Sequence, residues 1–344
     1  MTDPAAIAEA RAMLDTMLVW DNHACLPMRP EDDSFMPELE RFRTAGADVV
    51  SVNIGFGPYP LLHHLRMAAS FRRWIALHAD RYQLVGSLED IAAARAAGRL
   101  GIFFDVEGMA PLDEGDHGMV GLLYDIGVRW MLVAYNRNNA AGGGCHDDDP
   151  GLTQYGRELL AEMKRVGMLV CCSHTGHRTV RAVFEAAENP VIFSHSNPLA
   201  LAQHARNIPD DLIRACAATG GVIGINGISF FLRPNASPAQ GVAHAIDHVV
   251  QLVGIDHAGI GLDYVFDQVE LAQELESKRH TFPDPEAYAG LLTMAAPEDL
   301  PAIAAELTAL GYAREDIAKV FGGNWQRVAG QVWKAPSNLQ TQAT

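Results

Sequence analysis

Positive charge is scarce in this chain: 26 Lys and Arg stand against 42 Asp and Glu, a formal net charge of -16 with a pI near 5.2. No Lys/Arg run offers a surface that could track phosphates, which excludes nucleic acid as the expected partner. Long apolar runs are missing too. None approaches the ~20 residues of a membrane helix, and the opening M-T-D-P-A-A-I-A-E-A-R lacks the basic and apolar regions of a secretion signal. The closing K-A-P-S-N-L-Q-T-Q-A-T lacks the hydrophobic tail of a lipid-anchor signal. No membrane partner is therefore expected, and the expected location is the cytoplasm. The five cysteines are odd in number and show no framework spacing, which suits reduced thiols. Two catalytic signatures are also absent: the G-x-S-x-G elbow of a serine nucleophile and a glycine-rich dinucleotide turn after the first apolar run.

What is present is a long, apolar-rich chain. At 344 residues and 49% hydrophobic content it can bury one barrel-sized core or two smaller ones. Residues 168–196 organise it. M-L-V-C-C-S-H-T-G-H, a polar helical run, and P-V-I-F-S-H-S read as strand, crossover helix and strand, with His174 and His195 at the same end of neighbouring parallel strands. Chemistry collects at the carboxyl ends of parallel strands, so two imidazoles there point to a shared ligand, first of all a metal ion.

The same alternation recurs along the chain. A helical segment at 5–17 precedes L-V-W-D-N-H-A-C, whose Asp21, His23 and Cys25 share one face of an extended segment. Further β-like runs fall at 48–54, 100–107 (ending in Asp105 and Glu107), 130–135, 222–226 and A-G-I-G-L-D-Y, which ends near Asp263. Helical stretches separate them, among them 61–79, 155–166, 207–218 and 244–253. His63, His64 and His78 lie within a helical region and read as surface or packing residues. The loop A-A-G-G-G-C-H-D-D-D-P-G fits neither a phosphate-binding nor an EF-hand spacing and reads as solvated or lid-like.

About eight β-like runs separated by helices predict an α/β fold, a (β/α)8 TIM barrel of the metal-dependent hydrolase type. It is expected as one domain over residues 1–344, with an N-terminal helix at 1–16 and a C-terminal helical tail at about 300–333. A doubly wound open sheet is the alternative. In the barrel, separate strand ends deliver His23 with Cys25, Glu107, His174, His195 and Asp263 to one mouth. Imidazole and carboxylate donors suit zinc. With Glu107 bridging, His174 and His195 would hold one ion while His23 and Cys25 hold another, and Asp263 would carry a proton from water to a leaving amine.

At these residues the chain resembles the membrane (renal) dipeptidase family, peptidase family M19, among the amidohydrolase-like barrels. The likeness runs from W-D-N-H-A-C-L-P to F-G-G-N-W-Q-R-V, through D-V-E-G, G-V-R-W-M-L-V-A-Y-N-R-N-N, S-H-T, P-V-I-F-S-H-S and R-N-I-P-D-D. It implies a barrel, a binuclear zinc site, a homodimer, and hydrolysis of small dipeptides, often with a D-residue at the C-terminal position. It also implies that Glu107 is the bridging carboxylate, His174 and His195 the ligands of the second ion, Asp263 the acid/base, and Arg206 the group that grips a substrate carboxylate. Two positions depart from the family pattern. His23-Ala24-Cys25 stands where the family has H-x-D, and thiolate makes zinc a poorer Lewis acid. Tyr135 stands where the family has a histidine that contacts substrate, and a phenol there can donate to an oxyanion without carrying positive charge.

Each residue also has a structural reading. Cys25 is a ligand or a small buried hydrophobe. Tyr135 is a catalytic and substrate-binding phenol or a packing residue at the barrel mouth. Asp21 and Asp105 orient ligands or bond to backbone. His177 reaches the site or lies at the surface, and Cys171 and Cys172 read as core. The expected function is a zinc-dependent hydrolase of the dipeptidase type with one or two ions, acting on a small molecule with a carboxylate. Its alternatives are the same barrel with an altered metal site doing non-peptide C–N hydrolysis or lyase chemistry, or a catalytically silent small-molecule binder.

Overall fold

A computed structural model describes residues 3–282 and 292–334. The chain runs α1 (Pro4–Leu14), β1 (Trp20–Cys25), α2 (Glu40–Ala45), β2 (Val49–Phe56), α3 (Leu61–Leu77), β3 (Tyr82–Leu84), α4 (Leu88–Ala96) and β4 (Leu100–Glu107). It continues with α5 (His117–Asp125), β5 (Val128–Leu132), α6 (Gln154–Val166), β6 (Leu169–Cys171), α7 (His177–Ala186), β7 (Val191–Ile192), α8 (Asp210–Ala218), β8 (Ile223–Ile225), α9 (Pro238–Val253) and β9 (Ala258–Ile260). After these come β10 (Tyr264–Val265), α10 (Gln268–Ser277), α11 (Leu300–Ala309), α12 (Arg314–Ala318), a π-helical turn at Lys319–Gly323 and α13 (Asn324–Val332).

The strands pair in parallel in the order β10-β1-β2-β4-β5-β6-β7, and β8 pairs with β9. A parallel bridge from Phe193 to Ile223 joins β7 to β8, while β9 runs through Asp263 into β10 and so back to β1. The ladder therefore closes on itself as a (β/α)8 barrel. The eight runs expected from the sequence are β1, β2, β4, β5, β6, β7, β8 and β9. β3 is an additional short strand beside β4, and the expected fourth run at 130–135 is a strand at Val128–Leu132, so Tyr135 lies beyond its end.

Alternation along each strand separates the two sides of the wall. In β4, Ile102, Phe104 and Val106 pack outward under the helices, while Phe103 joins Trp20, Trp130, Leu132, Cys171 and Ile192 inside the barrel. α13 plugs the end where the strands begin: Trp325 joins the same interior cluster and donates to the carbonyl of Ile260 at 3.0 Å. Continuing the inward phase of Phe103 puts Asp105 and then Glu107 inside, at the opposite end.

β1 changes phase on the way. Asp21 and Ala24 pair with Val50 and Val52, a bulge that sets three steps on β1 against two on β2. Trp20 and His23 can therefore both face inward. The glycine-rich loop departs from the solvated reading, because Gly142, Gly143 and Gly144 are buried. A Cβ on Gly144 would meet the backbone of Asn136 and Arg137 at 2.3 Å, so glycine permits the loop to lie against the strand end.

Candidate metal centre

Three imidazoles converge on one carboxylate oxygen. Nε2 of His23, His174 and His195 lie 3.5, 3.4 and 3.2 Å from Oε1 of Glu107, and the last two nitrogens are 3.0 Å apart. Each ring is held from behind through Nδ1: His23 by Asp105 at 3.3 Å, His174 by Asn136 at 2.7 Å and His195 by the Ser194 hydroxyl at 2.8 Å. An oxygen behind Nδ1 fixes the ring so that Nε2 presents its lone pair to the centre. Asp105 is itself fixed, accepting from Ser51 at 2.6 Å and Asn53 at 2.9 Å.

Glu107 is almost wholly buried, yet its Oε1 accepts no hydrogen bond. An orphaned buried carboxylate oxygen ringed by imidazole nitrogens is expensive unless a cation lies among them. Burial pushes Glu107 up to about 8 and pushes His174 and His195 well below the usual histidine range, into the neutral form a metal ion requires. The residues fit a divalent ion with nitrogen and oxygen donors.

A second facet adjoins the first. Cys25 Sγ lies 3.4 Å from His23 Nε2 and 3.2 Å from Asp263 Oδ1, and that oxygen is 3.4 Å from His23 Nε2. Burial pushes the Cys25 thiol well above its ordinary value, so a thiolate there needs a cation beside it. Asn226 donates to the other oxygen of Asp263 at 2.7 Å. Burial alone would raise Asp263, but the hydrogen-bonded His23 and the Arg206 guanidinium facing it hold the carboxyl below its usual range.

The backbone is bent to make this possible. Asn136, His174 and Asp263 have φ of 58°, 61° and 58°, the left-handed region where side chains such as these are uncommon. Such conformations cost on the order of 1 kcal/mol each and concentrate at functional sites.

In front of the centre lies a cavity open to solvent. Arg206 projects into it from the segment before α8. It is buried, with Nη2 donating to the His195 carbonyl at 3.2 Å and Nη1 without an acceptor. Tyr135 lines the cavity, stacked on His174 at 4.1 Å with 22° between the rings, and burial pushes its phenol well above the ordinary value.

A model of the membrane dipeptidase family, peptidase family M19, matches residues 61–281. The chain belongs to this family. Relatives include an uncharacterised dipeptidase of Schizosaccharomyces pombe, 33% identical over 204 residues that cover 56% of this chain and 48% of the relative. The dipeptidase tcpJ of Claviceps purpurea is 26% identical over 283 residues, 79% of this chain and 61% of that protein. The chain thus aligns with about half to three-fifths of the length of these curated relatives.

Among solved structures, an amidohydrolase from Pseudomonas aeruginosa superposes with a TM-score of 0.83 at 25% identity, over 94% of this chain and 99% of that one. A metallo peptidase from Rhodobacter sphaeroides liganded with a phosphinate mimic of the dipeptide L-Ala-D-Ala shares the fold, with a TM-score of 0.76 at 19% identity over 92% and 100%. The family is described as one of membrane dipeptidases.

The barrel of this M19 member brings His23, Cys25, Glu107, His174, His195 and Asp263 together, with Tyr135 and Arg206 on the adjoining cavity. Asp105 faces side chains rather than backbone: His23, Ser51 and Asn53. Asp21 bonds to backbone, its Oδ1 accepting from Leu262 at 2.9 Å. Cys171 and Cys172 pack to opposite sides of the wall. His177, His63, His64 and His78 do not line the cavity. The residues missed are Asn136, Ser194 and Asn226, which hold His174, His195 and Asp263, and α10 with Phe56 and Phe282, which wall the cavity. The first three were legible as polar residues at the ends of apolar runs.

Proposed function

We propose that this chain is a zinc-dependent dipeptidase, a single barrel domain that cleaves a small dipeptide or related amide with water. His174, His195 and Glu107 would hold one ion, and His23, Cys25 and the bridging Glu107 a second. Bound zinc supplies Lewis acidity toward the scissile carbonyl and lowers the pKa of water.

The remaining work falls to the protein's own groups. Arg206 grips the substrate carboxylate through its unpartnered Nη1, since a guanidinium fork suits a carboxylate. Asp263, held by Asn226, accepts the proton of the attacking water and returns it to the departing amine. The protonated phenol of Tyr135 donates to the oxygen that gains negative charge. The observation that carries this reading is the orphaned Oε1 of Glu107 among three imidazole nitrogens.

The test pairs metal analysis with dipeptide hydrolysis by the purified chain. Stoichiometric zinc, turnover of L-Ala-D-Ala, and loss of both in Glu107→Ala are expected. Full activity after chelation would remove the proposal. Cys25 and Tyr135, both at the centre, favour one second reading, a non-peptide C–N bond as substrate; efficient cleavage of dipeptides would dismiss it. A cytoplasmic homodimer belongs to the same proposal, and sedimentation of the purified chain checks the dimer.

A further inference from the structure

The cavity is lined by both charged and apolar groups. Arg206 is anchored on His195 and marks the anionic end of a ligand. The other wall continues from Cys25 and Asp263: Met28 lies on the segment after Cys25, and Leu271 and Leu275 reach in from α10, which follows Asp263. Three aromatic rings complete it. Phe56 stands 5.1 Å from Tyr135 and 6.4 Å from Phe282, and Tyr135 stands 6.1 Å from Phe282.

The acids on this wall already have partners. Glu270 accepts from the Met28 amide at 2.7 Å and faces Arg29 at 3.4 Å. Glu274 accepts from the Tyr59 hydroxyl at 2.6 Å and pairs with Lys278. Asp267 caps α10 and faces Arg29 at 3.6 Å. Among the described residues Glu270 keeps Oε2 without a hydrogen bond, faced by Arg29, and the acids together disfavour an acidic side chain. Beside them Phe56, Phe282, Leu271 and Leu275 offer apolar surface.

We infer that the residue on the acyl side of the cleaved bond carries a bulky, neutral, apolar side chain, seated against Phe56, Phe282 and Leu275. A small amide whose carboxylate meets Arg206 and whose scissile bond lies at Glu107 would carry its acyl-side residue past Glu107 into the same cavity, which Phe56, Leu275 and Phe282 line. The inference rests on the hydrolase reading above. Full burial of a leucine- or phenylalanine-sized side chain favours its substrate by on the order of 10- to 100-fold over glycine.

The experiment measures kcat/KM of the zinc-loaded full chain on dipeptides with D-alanine fixed at the C-terminal position and Gly, Leu, Phe, Asp or Lys before it. Leu and Phe should exceed Gly by that factor, with Asp and Lys below Gly. In Phe282→Ala and Leu275→Ala, each checked for folding by its Tm, the ratio of the Phe to the Gly substrate should collapse. A ratio near one in the unmodified chain, or a preference for Lys or Asp, overturns this inference and leaves the hydrolase reading standing. No turnover of any member overturns both.

Discussion

Nε2 of His174 and Nε2 of His195 stand 3.0 Å apart, while Nδ1 of each ring is already engaged by Asn136 and by Ser194. Two neutral rings so fixed turn lone pair toward lone pair, an arrangement that repels unless a cation is shared. Four donors at the corners of a tetrahedron, each about 2.0–2.1 Å from zinc, would be separated by about 3.3 Å. The 3.0, 3.4 and 3.2 Å spacings among His174, His195 and Glu107 Oε1 match that edge.

The posts behind the rings should therefore matter as the rings do. Ser194→Ala removes the oxygen 2.8 Å from His195 Nδ1 without touching the cavity. Zinc affinity, measured by competition with a chromophoric chelator, should fall roughly 10- to 100-fold. Unchanged affinity would mean that His195 is oriented by packing alone.

Cys25 has a spectroscopic prediction. Its sulfur lies 3.4 Å from His23 Nε2, close enough to share an ion with it. Cobalt(II) loaded in place of zinc should give an intense near-ultraviolet sulfur-to-cobalt charge-transfer band. Cys25→Ser should lose that band while the imidazole side still binds cobalt. A native protein without the band would make Cys25 a buried thiol.

Much of this centre was legible before any coordinates. His174, His195, Glu107 and Asp263 each follow an apolar run, and strand ends of a closed barrel meet at one mouth whatever their distance in sequence. The bulge in β1 was not legible, because alternation predicts one inward phase and only pairing with β2 shows the extra residue. Asp21 illustrates the consequence: grouped with His23 and Cys25 by spacing, it serves the Leu262 backbone instead. The glycine-rich loop misled for a related reason. Small residues read as solvent-exposed when their close approach to another backbone cannot be seen. β3 was too short to leave a periodic signal, and nothing in residues 268–277 marks them as a wall of the cavity.

Arg206→Lys tests the substrate end. The guanidinium keeps one contact to the His195 carbonyl at 3.2 Å and offers Nη1 to a ligand, a division of labour that a single ammonium cannot reproduce. Losing a charge-assisted hydrogen bond at a buried site should lower kcat/KM by about 100-fold, chiefly through KM. Zinc content should stay at the native value. An unaltered KM for a substrate with a free carboxylate would place the anion elsewhere.

His64, away from the metal centre, makes the acid limb of the stability curve testable. Its side chain is buried against Gly55, Nδ1 donates to the Pro60 carbonyl at 3.1 Å, and Nε2 has no partner. Burial lowers its pKa to about 4, against ~6.5 for an unfolded histidine. Between those values the unfolded chain binds a proton that the folded chain does not, so stability rises with pH. The contribution is fully present above about pH 6.5 and is lost as pH falls toward 4, by about 3 kcal/mol at the lower end. Asn can still donate to Pro60 but does not titrate. Urea unfolding of the native chain and His64→Asn at pH 7 and pH 4.5 should show the native chain losing about 2–3 kcal/mol more than the variant over that interval. The metal centre is common to both proteins, so its own acid sensitivity cancels in the comparison. Parallel losses would show that His64 takes up its proton without opening the fold.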